Sequence, residues 1–364
     1  MKPATRRKPR ARDLGIAFDG IPGPLNAITD VPGVMVGHVT LVSGSGKCRR
    51  GRGPIRTGVT AILPRERAAG RVFAGFFSLN GNGELTGAHW VVESGFLEGP
   101  VMLTNTHSVG VVRDAAIAWM IKQGTLSQPW ALPVVAETWD GYLNDINGFH
   151  VKTEHVFQAI EQAQPGPVTE GCVGSGTGMI CHEFKGGIGT ASRHIEQSGD
   201  VFTLAVLVQA NHGERRLLRI AGVPVGKIIR ENTLEKPADG SIVIIIATDA
   251  PLLPHQLKRL ARRAALGLGR TGSIAANTSG DLFLAFSTAN TEVKKTSGCV
   301  RLKMICNEHL TSFFDGCVQA VEEAIVNALV AAETMTGCDG RRVVSIPHDR
   351  LCQILKNHQH RSAP

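Results

Sequence analysis

Ser241 follows Gly240 and opens the apolar run Ile242-Val243-Ile244-Ile245-Ile246-Ala247-Thr248. A hydroxyl residue placed after glycine at the mouth of a buried strand has the makings of a self-cleaving junction. Glycine tolerates strained backbone angles and leaves its carbonyl open to attack by the next side chain. Attack of the Ser241 hydroxyl on the Gly240 carbonyl would give an ester. Water would hydrolyse it and leave Ser241 as a new N-terminus, a hydroxyl nucleophile with its own α-amine beside it. Taken alone, Asp239-Gly240-Ser241 also fits a turn that merely ends before a strand, so other segments carry the case.

Ser279 and Asp281 stand two residues apart before the apolar Leu282-Phe283-Leu284-Ala285-Phe286. In an extended chain they project to the same side, where Asp281 can orient a polar partner while Ser279 reaches a nucleophile. Asn211 follows the buried-strand candidate Phe202 to Gln209. Its side-chain N–H could face a developing oxyanion, and it is equally at home as a turn residue. The loop Trp139 to Asp145 holds the single tyrosine of the chain, Tyr142, with Glu137, Asp140 and Asp145 nearby. Such loops carry binding groups more often than core strands do.

The elements that position these residues alternate between strand and helix patterns. Strands are expected within 15–38, and over 59–63, 71–79, 100–106, 133–138, 202–209 and 242–248. A helix is expected over 108–123, with Val111, Val112, Ala115, Ile117 and Met120 on one face. Others run from Pro254 to about Gly267, and from about Leu310 to Met335. The polar segment Arg215 to Ala238 reads as an exposed connection that would tolerate a chain break. With 42 glycines, 43% hydrophobic and only 5% aromatic residues, the core is expected to be Val, Ile, Leu and Ala packed across glycine-rich turns, which suits a layered α/β protein.

Other chemistries fit poorly. Lys2, Arg6, Arg7, Lys8, Arg10 and Arg12 supply six of the eight net positive charges, so the body is near neutral. Residues 1–13 read as a disordered basic tail, with no aromatic residues interleaved for base stacking, and no nucleic-acid partner is expected. No apolar stretch follows the arginines and none approaches a membrane span, so a soluble, cytoplasmic protein is expected. The glycine clusters 171–179 and 185–193 lack the Walker spacing and a strand before a dinucleotide fingerprint. They read instead as places where backbones approach closely. The eight cysteines form no Cys-x-x-Cys pair, and reduced, mostly buried thiols are expected. Cys181-His182, the one adjacent ligand-type pair, reads as structural. No metal site and no cofactor are expected.

The segments Asn80 to Glu84, Thr104 to Thr106 with Ser108 to Gly110, Gly174 to Met179, Lys185 to Arg193, Val208 to Asn211 with Gly222 to Gly226, and Gly240-Ser241 together resemble the self-processing aminopeptidases typified by DmpA and the related β-peptidyl aminopeptidases. The resemblance covers almost the whole chain. It implies a four-layer αββα sandwich, like the N-terminal-nucleophile hydrolases but differently connected. Residues 14–364 would form a single catalytic domain, cut into 1–240 and 241–364, which stay together. It further implies Ser241 as nucleophile, Gly240-Ser241 as the processed bond, Ser279 and Asp281 as its assistants, and Asn211 as the oxyanion-stabilising asparagine. Tyr142 and Glu137 match the loop that lines the substrate pocket, where a carboxylate would pair with a substrate ammonium. The β-peptidyl branch has glutamate at the Asp281 position, so the shorter aspartate leans toward the DmpA branch. The implied partners are short peptides, amino-acid amides or esters, and further copies of the same chain. Two rivals differ in class. An acyltransferase of the ornithine acetyltransferase type would be expected to use threonine as nucleophile, and a glycine-rich binding protein would never cleave.

Overall fold

A computed structural model describes residues 8–66, 70–234, 240–294 and 298–362. Asp239 lies outside them. Two sheets carry the fold. The first has four strands, β1 (Met35–Ser43), β2 (Ile55–Leu63), β5 (Val101–Asn105) and β6 (Val134–Thr138), in that spatial order. The second has the order β4-β3-β12-β11-β10-β9, built from β3 (Val72–Gly81), β4 (Phe96–Leu97), β9 (Gly187–Gln197), β10 (Asp200–Asn211), β11 (Ser241–Thr248) and β12 (Gly280–Ser287). Two small hairpins, β7 (Ile180–Cys181) with β8 (Phe184–Lys185) and β13 (Met335–Thr336) with β14 (Arg342–Val343), complete the strands. The helices are α1 (Ala88–Ser94), α2 (Val109–Gln123), α3 (Thr153–Glu161), α4 (Val225–Ile228), α5 (Pro254–Arg270), α6 (Thr311–Ala331) and α7 (His348–Ser362).

The unbroken apolar run of β11 follows from burial on both faces. Ile242, Ile244 and Ile246 join the core shared with α5 and α6. Val243, Ile245 and Ala247 join a second core with Ile62, Val101, Leu103 and Val134 of the other sheet. A third core lies between the outer face of the first sheet and α2 with α3. The layers are therefore α, β, β, α, as expected. α6 approaches β9 closely because Gly189 has no side chain. A Cβ there would stand 2.0 Å from the Ala324 carbonyl oxygen.

Some expectations change. α2 buries Val109, Val112, Ala115, Ala116, Trp119 and Met120, while Val111 and Ile117 are half-buried. The inward face is set by the sheet beneath it, not by the largest aliphatic stripe. α7 was not anticipated, its polar sequence hiding the buried Leu351, Ile354 and Leu355. The described part of the expected tail is anchored rather than free. Arg10 is buried and pairs with Glu170 at 2.6 Å, Ala11 is fully buried, and Arg12 meets Glu323 of α6 at 2.7 Å. Buried carboxylates select these arginines, which composition alone cannot reveal. Arg215 to Leu234 is likewise no simple surface connection. Arg215 is buried with Leu218, Ile220, Val225 and Ile229, and its guanidinium lies 3.3 Å from the Phe184 ring centroid. Four of the eight cysteines are buried, Cys352 is half-buried, and Cys48, Cys299 and Cys306 are exposed. No helix among the described residues is long and apolar enough to cross a membrane.

Candidate active site

Side chains alternate along a strand, so Ser241 shares the face of Val243 and Ile245, the face that meets the other sheet. Across β10, Asn211 pairs directly with Ser241 in the antiparallel register. On the other flank β12 runs parallel, with Ile242 opposite Asp281. Three neighbouring strand ends thus bring Ser241, Asn211, Ser279 and Asp281 together, all of them buried. Gly240 is required here by space. A Cβ on it would stand 1.7 Å from the Asn211 carbonyl oxygen.

The Ser241 Oγ accepts the Gly280 N–H at 2.9 Å. Gly280 separates Ser279 from Asp281, so the hydroxyl is held by the backbone between those two residues. Ser279 Oγ donates to Asp281 Oδ2 at 2.7 Å and accepts from Asn80 Nδ2 at 3.1 Å. Asp281 Oδ1 is buried without a hydrogen-bond partner among the described residues, and burial pushes this carboxyl's pKa up, against the pull of the Ser279 hydroxyl. Such a group is a better proton acceptor than an ordinary aspartate.

Asn211 is oriented by its neighbours. Its Oδ1 accepts the Ile180 N–H at 2.7 Å, which fixes the amide, and Nδ2 donates to the Trp139 carbonyl at 3.0 Å. An amide nitrogen carries two hydrogens, so the second stays available for an oxyanion. The Trp139 bond also ties the Trp139 to Asp145 loop to β10, the strand beside Ser241. Deeper between the sheets, Gln209 Nε2 bridges to Thr104 O and Thr138 Oγ1 at 3.0 and 2.7 Å.

Glu137 comes from the facing sheet, 3% exposed. It accepts the Glu84 N–H at 2.9 Å and the Thr106 hydroxyl. Burial raises its pKa, opposed by those two bonds. A Cβ on Gly83 would lie 3.3 Å from Glu137 Oε1 and 3.2 Å from Gly280 Cα, so Glu137 borders the group that holds Ser241. Tyr142 is separate in its contacts. Its ring lies 5.2 Å from the Arg341 guanidinium, and its carbonyl accepts from Arg341 Nη1 at 3.3 Å.

Asn80, Thr106 and Gly280 touch the site residues, yet sequence reading gave them no role. Their segments were recognised, but a backbone donor or a third-residue contact has no signature in composition or spacing. The expected absence of a ligand-type cluster fails in one place, where His212, at the end of β10, meets Cys181 and His182.

The Trp139 to Asp145 loop also holds Asp140, whose pKa burial raises from 3.8 to about 7 against hydrogen bonds led by Thr57 and Asn144. The folded state therefore binds this proton more tightly than the unfolded chain. Its stabilising contribution is complete below about pH 4 and is lost as pH rises through about 7. Asp140→Asn should raise Tm near pH 8 by about 2–4 °C and flatten the dependence of Tm on pH, read by calorimetry. A larger pH dependence in the variant would contradict this.

Comparison with known proteins places the chain in a family. The model of peptidase family S58 matches residues 26–343. The beta-peptidyl aminopeptidase BapA of Sphingosinicella microcystinivorans is 52% identical, covering 99% of this chain and 95% of that protein. The solved L-aminopeptidase D-Ala-esterase/amidase of Ochrobactrum anthropi, described as a new variant among the Ntn hydrolase fold, superposes with a TM-score of 0.92 at 48% identity, over 97% of this chain and 99% of the other. A Burkholderia sp. beta-aminopeptidase superposes at 0.88 with 50% identity, over 96% and 99%. The β-peptidyl and L-aminopeptidase relatives match the chain at nearly equal identity. The chain therefore belongs to peptidase family S58 and is a hydrolase of the aminopeptidase class.

Proposed function

We propose that the chain cuts itself between Gly240 and Ser241, and that Ser241 then releases N-terminal amino acids from short peptides, amides or esters through an acyl-enzyme on its Oγ. The observation that carries this reading is the meeting of Ser241, Asn211, Ser279 and Asp281 on three adjacent strand ends. The hydroxyl proton passes to the freed α-amine, which titrates near pH 8 in unperturbed form, or through Ser279 toward Asp281. Asn211 Nδ2 and a backbone N–H hold the oxyanion, and each such donor is worth about 2.7–4 kcal/mol. Glu137 receives the substrate ammonium, and the Tyr142 loop lines the pocket. The names of the relatives, beta-peptidyl aminopeptidase and L-aminopeptidase D-Ala-esterase/amidase, support a substrate with a free amine. Ser241, where threonine would be expected, speaks against the acyltransferase alternative.

Ser279→Ala, once correctly processed, should turn over an amino-acid p-nitroanilide about 100-fold or more slowly, the scale of lost acid–base assistance. Near-normal turnover removes Ser279 from the mechanism. Asn211→Ala should cost about 10²–10³-fold in kcat with a smaller change in KM. A pure KM effect would make Asn211 a binding residue instead.

A further inference from the structure

The turn between β7 and β8 is made of residues that turns of its shape disfavour. Cys181 pairs with Phe184, which leaves His182 and Glu183 as the two turn residues, at φ 48° and 61°. Two-residue hairpins with positive φ at both positions favour Asn-Gly or Gly-Gly, and a larger residue there is strained.

The strain holds an imidazole in place. His182 Nδ1 lies 3.0 Å from the Glu214 carbonyl oxygen. A carbonyl only accepts, so Nδ1 carries the proton and Nε2 carries the lone pair. That Nε2 is buried and has no partner among the described residues, and the same holds for His212 Nε2. The two rings meet edge to face at 5.1 Å, and Cys181 Sγ lies 4.0 Å from His212 Nδ1. One ligand atom from each of the three residues falls within 4.8 Å of the others, and all three residues are buried. Metal–nitrogen and metal–sulfur bonds of about 2.0–2.3 Å separate ligand atoms by about 3.5–4 Å, so small side-chain shifts close the triangle.

We propose that Cys181, His182 and His212 form a three-coordinate site for a monovalent thiophilic cation, Cu⁺. A thiolate selects soft cations such as Cu⁺ and Zn²⁺, and charge decides between them. One thiolate and two neutral imidazoles make Cu⁺ a neutral buried complex. Zn²⁺ would keep a net positive charge out of water and lack a fourth ligand. Among the described residues the surroundings offer no spare anion. Arg215 Nε donates to the His182 carbonyl and Lys185 Nζ to the Met179 carbonyl, while the Glu183 carboxylate is taken by the Arg215 and Leu234 N–H groups and Glu214 by Arg216. On binding, the Cys181 S–H bond breaks, a Cu–S bond forms, the proton leaves to water, and no electron is transferred. His212 also lines a small cavity with Gly213, Gly240, Ala276 and Ser279. Occupancy would tie the β7–β8 turn to the end of β10, one residue from Asn211.

The test is an anaerobic titration of the purified enzyme with Cu⁺ against the coloured chelator bathocuproine disulfonate. Wild type should withdraw one equivalent at this site beyond any held by the Cys48 and Cys338 thiols, which lie 2.7 Å apart; Cys181→Ser should withdraw one fewer, and His182→Gln should hold it at least about 10-fold more weakly. A triple Ser replacement of the exposed Cys48, Cys299 and Cys306 should leave the equivalent in place. The proposal is overturned if wild type withdraws nothing, if Cys181→Ser withdraws as much as wild type, or if the triple variant loses the equivalent. Retention of Zn²⁺ but not Cu⁺, in a parallel titration with a zinc indicator, also overturns it. The wild-type and triple-variant arms decide the matter even if Cys181→Ser fails to fold.

Discussion

Ser241→Ala should run as a single 38.8 kDa chain on a reducing, denaturing gel and should release no amino acid from a p-nitroanilide, whereas the wild type should give two pieces, 1–240 and 241–364. Both effects have one cause. In the proposed mechanism the same Oγ attacks in self-cleavage and in turnover, so its removal blocks the first ester and every later one. Loss of a nucleophile acting within a unit costs on the order of 10⁶-fold in kcat. The two wild-type pieces should stay together without denaturant, because the proposed cut lies at the edge of strands that share one sheet. β10 pairs with β11 from Leu204 to Asn211, and β12 pairs with β3. The early segment adds Arg12 on Glu323 of α6. N-terminal sequencing of the smaller piece decides the assignment, and a start anywhere but Ser241 ends it.

Acetylation of the substrate's α-amine should lower kcat/KM by about 10²–10³-fold or more. Glu137 is buried and already accepts the Glu84 N–H and the Thr106 hydroxyl, yet two acceptor oxygens have lone pairs left for an ammonium. A buried carboxylate deprived of its partner costs about 3–5 kcal/mol, and that loss appears in the transition state as well as in binding. The measurement is kcat/KM for one amino-acid p-nitroanilide, free and N-acetylated. Equal values would make this a general amidase or esterase and would remove Glu137 from recognition. Glu137→Gln should narrow the ratio by weakening the free-amine substrate alone.

Local chemistry settled much of this in advance. Six apolar residues in a row after Ser241 marked a strand buried on two faces, because only such a strand can dispense with polar alternation. Ser279 and Asp281 were legible as a pair because a strand's period of two puts them side by side, and their hydroxyl–carboxylate bond is local. What the sequence could not state is which residues meet across long separations. Asn211 opposite Ser241 is a matter of register, and a slip of one residue would turn every side chain to the other face. Glu137 reaches the site from the other sheet, Asn80 from the β3 end, and Arg10 and Arg12 leave an apparent tail to pair with buried carboxylates. His212 joins Cys181 and His182 only because β10 carries it past the β7–β8 turn. Sequence fixes what each residue can do and its local period, while pairing between distant segments depends on how whole layers stack, a choice made by burial summed over the chain.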